Sequence, residues 1–103
     1  MATNGTAVKR LRNCISDLWL SRSKGRSDDQ IARIDAELTR VEDEYFAILG
    51  VPKNATYAEI TGRLTQARNG LNAIRDDRQN FTNGLVSATK LLGSLSAVLK
   101  LFP

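Results

Sequence analysis

The chain has 103 residues, a formal net charge of +4, 42% hydrophobic residues and 25% charged residues. These values fit one globular domain and exclude the composition of a disordered chain. The sequence has no histidine and a single cysteine, Cys14, so the commonest general base, the usual zinc ligand sets and an intrachain disulfide are all absent. We therefore predict a protein that is not an enzyme, with no catalytic residue, no metal site and no cofactor.

The charge is distributed in three zones along the chain. Six basic and one acidic side chain give residues 1–26 a net charge of +5, whereas three basic and eight acidic side chains give residues 27–60 a net charge of −5. Six basic and two acidic side chains give residues 61–103 a net charge of +4. This pattern favours an acidic middle helix that lies between two basic ones, since such pairing sets partner choice in helical assemblies. A basic surface for nucleic acid or acidic lipid is the alternative.

Apolar residues recur at alternating intervals of three and four, which is typical of helices that pack along one face. Three such seams run through the chain. The first is Val8, Leu11, Ile15 and Leu18; the second is Ile31, Ile34, Leu38, Val41, Tyr45 and Ile48; the third is Tyr57, Ile60, Leu64, Ala67, Leu71, Ile74, Arg78, Phe81, Leu85, Ala88, Leu92, Leu95, Leu99 and Phe102, with Arg78 as its one charged member.

The first seam predicts a helix over about 6–22, capped by Asn4 or Thr6. The second predicts a helix over about 28–49, with Ser27 and Gln30 as a capping box at its start. At its end, Gly50 suits the left-handed position that closes a helix, and Pro52 follows it.

The third seam predicts a helix over about 56–79, with Thr56 and Glu59 as a second capping box. It also predicts a helix over about 81–102, which is either separate from the preceding one or continuous with it. Glycines lie within these spans at positions 62, 70, 84 and 93. In helices they indicate close approach of a neighbour or local bending. The consecutive acids at 42, 43 and 44 fan around the second helix and lie off its seam, which is typical of a solvated or ion-paired face.

The fold class that follows is all-α: an antiparallel coiled-coil-like helical hairpin or a bundle of three to four helices, forming a single domain over residues 1–103. We predict a non-enzymatic protein-interaction module, such as an adaptor, an inhibitor or immunity-type protein, or an assembly subunit. It would bind a protein partner or itself, as a homo-oligomer, through apolar helix faces. The predicted partner-binding residues are Trp19, Leu91, Leu92, Leu95, Val98, Leu99 and Phe102.

Two other binding functions remain open at this point. Lys9, Arg10 and Arg12 lie within one turn of the first helix and are candidate phosphate contacts for a nucleic-acid-binding protein. The amphipathic C-terminal helix is a candidate for binding a membrane surface. The N-terminal residues lack the pattern of a signal peptide, and the chain lacks a long apolar segment, so we predict a cytoplasmic protein.

Overall fold

The computed structural model of the chain describes residues 2–23 and 28–76, with side chains described up to residue 74. Three helices account for most of these residues: α1 (Asn4–Ser23), α2 (Asp28–Ile48) and α3 (Arg63–Asp76). The described part contains no β-strand beyond an isolated bridge between Thr3 and Thr56. The prediction of an all-α fold is therefore confirmed, whereas the helix predicted over 81–102 lies outside the described residues.

The heptad seams supply the core. Helix α2 packs against both α1 and α3, and one cluster of buried side chains joins the three helices. Its members are Ala7, Val8, Leu11, Cys14, Leu18, Ile34, Leu38, Val41, Ile48, Leu64, Ala67, Leu71 and Ile74. Removal of this apolar area from water is the main force that holds the helices together. One seam residue departs from the pattern, because the Ile60 side chain is 51% exposed, and four others are only partly buried: Ile15, Ile31, Tyr45 and Tyr57.

Two polar contacts show how α1 lies against α2. Arg22 forms an ion pair with Asp35 at 2.5 Å, and Arg12 Nε donates to the Tyr45 hydroxyl at 3.3 Å. Arg22, near the end of α1, therefore contacts the first half of α2, and Arg12, nearer the start of α1, contacts the second half of α2. The two helices consequently lie alongside each other over most of their length.

The first turn of α1 is capped by Thr3, and not by Asn4 or Thr6 as predicted. Thr3 Oγ1 accepts a hydrogen bond from the Thr6 amide at 3.2 Å. The amides of Asn4 and Gly5 donate to carbonyl oxygens of the segment after α2, those of Ala55 (2.9 Å) and Lys53 (3.0 Å). Amide groups that no helix can satisfy internally therefore tie the N-terminus to that segment.

The Asn4 side chain adds a hydrogen bond to this junction. It is buried, and its Nδ2 donates to the Pro52 carbonyl at 2.9 Å. We expect Asn4→Ala to lower the free energy of unfolding by about 1–2 kcal/mol, because the carbonyl loses its partner and a small cavity remains. Thermal unfolding followed by circular dichroism measures the change. Asn13→Ala, at an exposed position of α1, is the matched control, and an equal loss in both variants would contradict the assignment.

Helix α3 begins at Arg63, seven residues later than the predicted start at 56, and the capping box of Thr56 and Glu59 does not form. Residues 57–62 are not helical, and Gly62 adopts a φ of 74°, where glycine has no steric penalty. Gly50, by contrast, does not have the positive φ predicted for it.

Other donors and acceptors take over the capping of α3. Glu59 Oε1 and Oε2 accept hydrogen bonds from the amide and hydroxyl of Thr65, at 2.7 and 2.5 Å, and Thr61 Oγ1 accepts one from the Arg63 amide at 3.1 Å. Upstream, the Tyr57 amide donates to the Ala2 carbonyl at 2.8 Å. Tyr57, Glu59 and Thr61 therefore bond to groups other than those that a helix starting at 56 would offer them.

Candidate interaction surface and the buried carboxylates that shape it

A buried carboxylate determines the path of the segment between α2 and α3. Glu44 in α2 has no exposed surface. Its Oε1 accepts hydrogen bonds from the amide and hydroxyl of Thr61 at 2.9 and 2.7 Å. Its Oε2 accepts hydrogen bonds from the Tyr57 hydroxyl at 2.7 Å and the Ile60 amide at 3.0 Å. We call this arrangement the Glu44 clamp, because one side chain holds three residues of the segment against α2.

The clamp also changes the pKa values of the Glu44 carboxyl and the Tyr57 hydroxyl. Burial alone would raise the pKa of Glu44, but the hydrogen bonds from Thr61, Ile60 and Tyr57 outweigh it and hold the pKa below its ordinary value of 4.5. Burial, followed by the hydrogen bond to this carboxylate, raises the pKa of Tyr57 above its ordinary range. The pair is therefore a carboxylate and a neutral phenol at neutral pH.

A second buried carboxylate lies between α2 and α3. Glu37 is almost fully buried, and its Oε1 accepts a hydrogen bond from Arg40 Nη1 at 2.6 Å, whereas its Oε2 is buried without a partner. Burial raises the pKa of Glu37, and the nearby Arg40 guanidinium only partly opposes this. The Glu37 carboxylate lies directly against the backbone of Gly70 in α3, where an alanine Cβ would overlap it. The prediction that glycine allows close helix approach is confirmed at this position.

The prediction that the acids at 42–44 form a solvated face is wrong for Glu44. The available signal was the spacing: Glu44 is three residues after Val41 and four before Ile48, so it shares the buried face of α2. Gln30 and Glu37 precede it at intervals of seven and are also buried. A polar row therefore runs beside the apolar seam of α2, and it contacts α3 through Glu37 and the segment before α3 through Glu44.

These buried groups show little of the chemistry that a reaction needs. The Glu44 oxygens are occupied by donors, and burial raises the pKa of the Cys14 thiol to about 12, with a smaller contribution from Asp17. A thiol of this kind stays protonated and is a poor nucleophile. Within residues 2–23 and 28–76, no three His, Cys, Asp or Glu side chains cluster as metal ligands would.

The surface offers a different feature: large apolar side chains that the described core does not cover. Trp19 is 50% exposed, Phe46 is 62% exposed and Leu49 is 42% exposed. Phe46 lies in the last turn of α2 and Leu49 directly follows that helix, three residues later in the chain. The exposed Ile60 side chain belongs to the segment held by the Glu44 clamp, at the same end of the molecule.

Trp19, Phe46 and Leu49 lie along the edges where α1 and α2 meet. On α1, Trp19 is seven residues after Arg12, which contacts Tyr45, and the Arg22 guanidinium lies 5.6 Å from the Trp19 ring centroid. On the α2 side, Glu42 is seven residues after Asp35, the partner of Arg22, and Leu49 follows seven residues later, directly after the end of α2. Since residues seven apart share a helix edge, both edges face the same side of the α1–α2 pair.

We define the α1–α2 face by the exposed or partly exposed residues along these edges. They are Lys9, Arg12, Ser16, Trp19 and Arg22 on α1, and Asp28, Asp35, Glu42 and Phe46 on α2, with Leu49 directly after it. The α1 edge is basic and the α2 edge is acidic, with an exposed aromatic side chain in each.

Of the residues predicted from the sequence to bind a partner, Trp19 lies on this face. The remaining six, Leu91, Leu92, Leu95, Val98, Leu99 and Phe102, lie outside the described residues. The three candidate phosphate contacts do not share one direction, because Lys9, Arg10 and Arg12 spread over about 160° of the helix circumference. Lys9 and Arg12 are exposed, and Arg10 is partly buried.

No family model matches the chain, and the searches of curated proteins and of solved structures likewise found no match. None of the helices in the described part of the chain has the length and apolarity needed to cross a bilayer.

Proposed function

We propose that the chain is a non-enzymatic protein-interaction module that binds a protein partner through apolar helix positions, with α1 and α2 arranged as an antiparallel coiled-coil-like hairpin. The observation that carries the proposal is the exposure of Trp19, Phe46 and Leu49 on one face of the α1–α2 pair. Aromatic side chains are enriched at the energetic centres of protein interfaces. They are costly to leave in water, and a partner that covers them removes that cost.

The surroundings of these side chains support the same function. Phe46 lies in the last turn of α2 and Leu49 directly follows it, both close in the chain to Glu44, which holds the next segment in place. Rigid placement favours binding, because less conformational entropy is lost when a partner docks. The basic residues of α1 have less support as a nucleic-acid site, since Arg12 contacts Tyr45 and Arg22 contacts Asp35.

Site-specific photo-crosslinking in the native cell tests the proposal. A photoreactive phenylalanine analogue in place of Phe46 should form covalent adducts with protein, because the side chain would be covered in the complex. The same analogue in place of Gln66, an exposed residue of α3, is the matched control and should form few or none. The absence of any protein adduct from position 46, or equal labelling from both positions, would overturn the proposal.

A further inference from the structure

We infer that the partner of the α1–α2 face is a second copy of this chain, with α1 of one protomer lying against α2 of the other in a two-fold dimer. The inference rests on the proposed interaction function and names the partner for it. Its basis is the opposite charge of two neighbouring helix edges on a single face that also carries exposed aromatic residues.

Charge selects this arrangement among the possible ones. The described charged residues on the α1 edge of the face are Lys9, Arg12 and Arg22, all basic, and those on the α2 edge are Asp28, Asp35 and Glu42, all acidic. Packing α1 against α1, or α2 against α2, would place like charges together, which interfaces avoid. Packing α1 against α2 of a second copy places opposite charges together at two equivalent sites.

Symmetry makes the same pairing self-complementary. In a two-fold dimer, a surface patch of one protomer contacts the same patch of the other. When the two-fold axis runs parallel to the helices, between the two α1–α2 pairs, each α1 faces the other protomer's α2. Trp19 and Phe46 of both copies would then lie inside one four-helix layer, flanked by the charged edges, as the e and g positions flank the seam of a coiled coil.

Apolar contacts provide the first test. Light scattering of the full chain should give twice the protomer mass of 11.4 kDa. Phe46→Lys should give the protomer mass, because the new ammonium group would be buried against the basic α1 edge of the other protomer. Gln66→Lys adds the same charge at an exposed position of α3 and should remain a dimer. A wild-type chain of protomer mass, or dissociation by both substitutions, would overturn the inference.

Charge reversal provides the second test and specifies the pairing. Asp28→Lys with Glu42→Lys makes both edges basic, and Lys9→Glu with Arg12→Glu makes the α1 edge acidic beside an acidic α2. Each double variant alone should have the protomer mass, with a helical circular dichroism spectrum as the check of folding. An equimolar mixture should have twice the protomer mass, because both α1–α2 contacts are then complementary.

If the wild-type chain is a dimer but the mixture of the two variants keeps the protomer mass, another face forms the dimer. This result would overturn the inference. The proposed function is tested separately from the dimer. A monomeric chain that still crosslinks through position 46 to a different protein would exclude the self-docking and retain the interaction module. A chain whose position 46 forms no adduct at all would exclude the module.

Discussion

Glu44→Gln is expected to lower the free energy of unfolding by about 3 kcal/mol. The carboxylate accepts hydrogen bonds from Tyr57, Ile60 and Thr61 in a site without exposed surface. A glutamine amide has a single acceptor oxygen, and its NH₂ group would face donors, so at least one buried donor loses its partner. Hydrogen bonds to a charged group contribute about 1.5–3 kcal/mol each, and an unsatisfied buried donor costs about 1–3 kcal/mol. Chemical denaturation followed by circular dichroism measures the loss.

The pH dependence tests whether the charge of Glu44 is the cause. Its pKa is lower in the folded chain than its ordinary value of 4.5. Its contribution to stability is thus complete above pH 4.5 and is lost as the pH falls through the folded-state pKa. The wild-type chain should therefore lose more stability than Glu44→Gln as the pH is lowered below 4.5.

Glu42→Gln is the matched control for the Glu44 substitution. Glu42 is two residues away on the same helix and is only partly buried, so its substitution should change stability by about 0.5 kcal/mol or less. A Glu44→Gln variant as stable as Glu42→Gln would exclude the clamp as a determinant of the fold.

Gly70→Ala is expected to lower the free energy of unfolding by about 1 kcal/mol, although alanine is the better helix former. The intrinsic gain from replacing a helical glycine is at most about 1 kcal/mol. The added Cβ, however, would overlap the buried Glu37 carboxylate, and relief of such overpacking moves side chains or backbone at a cost of about 1–3 kcal/mol. Equilibrium unfolding in urea measures the difference.

A chain that carries Glu37→Ala separates the steric overlap with the Glu37 carboxylate from the other effects of an alanine at position 70. In a Glu37→Ala chain the carboxylate is absent, so Gly70→Ala should become neutral or stabilising through helix propensity alone. Gly50→Ala is the second comparison, because a Cβ at that position meets no atom within 4 Å. An equal loss from Gly70→Ala in both backgrounds would contradict the contact between Glu37 and α3.

Sequence patterns predicted α1 and α2 closely. The helices predicted over 6–22 and 28–49 are found at Asn4–Ser23 and Asp28–Ile48, because seam spacing and the acidic first turn of α2 are local signals. The start of α3 was predicted wrongly by the same reasoning. Thr56 and Glu59 have the spacing of a capping box, but Glu59 accepts hydrogen bonds from Thr65. The residues around it bond to Glu44 and to Ala2 instead of forming a helical turn.

The candidate surface was predictable only in part. Trp19 was predicted from the sequence to bind a partner, whereas Phe46 and Leu49 were not. Their exposure depends on which sides of α2 the neighbouring helices cover, and this cannot be read from α2 alone. The opposite charges of the first two helices were visible in the sequence, but their position on one face required the contacts of Arg12 and Arg22.

The sequence by itself determined the helical class, the first two helices and the apolar residues that form the core, since each of these depends on intervals of three and four residues within one segment. The tertiary structure alone decided where α3 begins, which side chain lies against Gly70 and which aromatic side chains stay exposed. The physical reason is that buried carboxylates such as Glu44 and Glu37 must be satisfied or accommodated by whichever groups the fold brings to them. Those groups lie 13 to 33 residues away in the chain, at Tyr57 and Gly70, beyond the range of any local pattern.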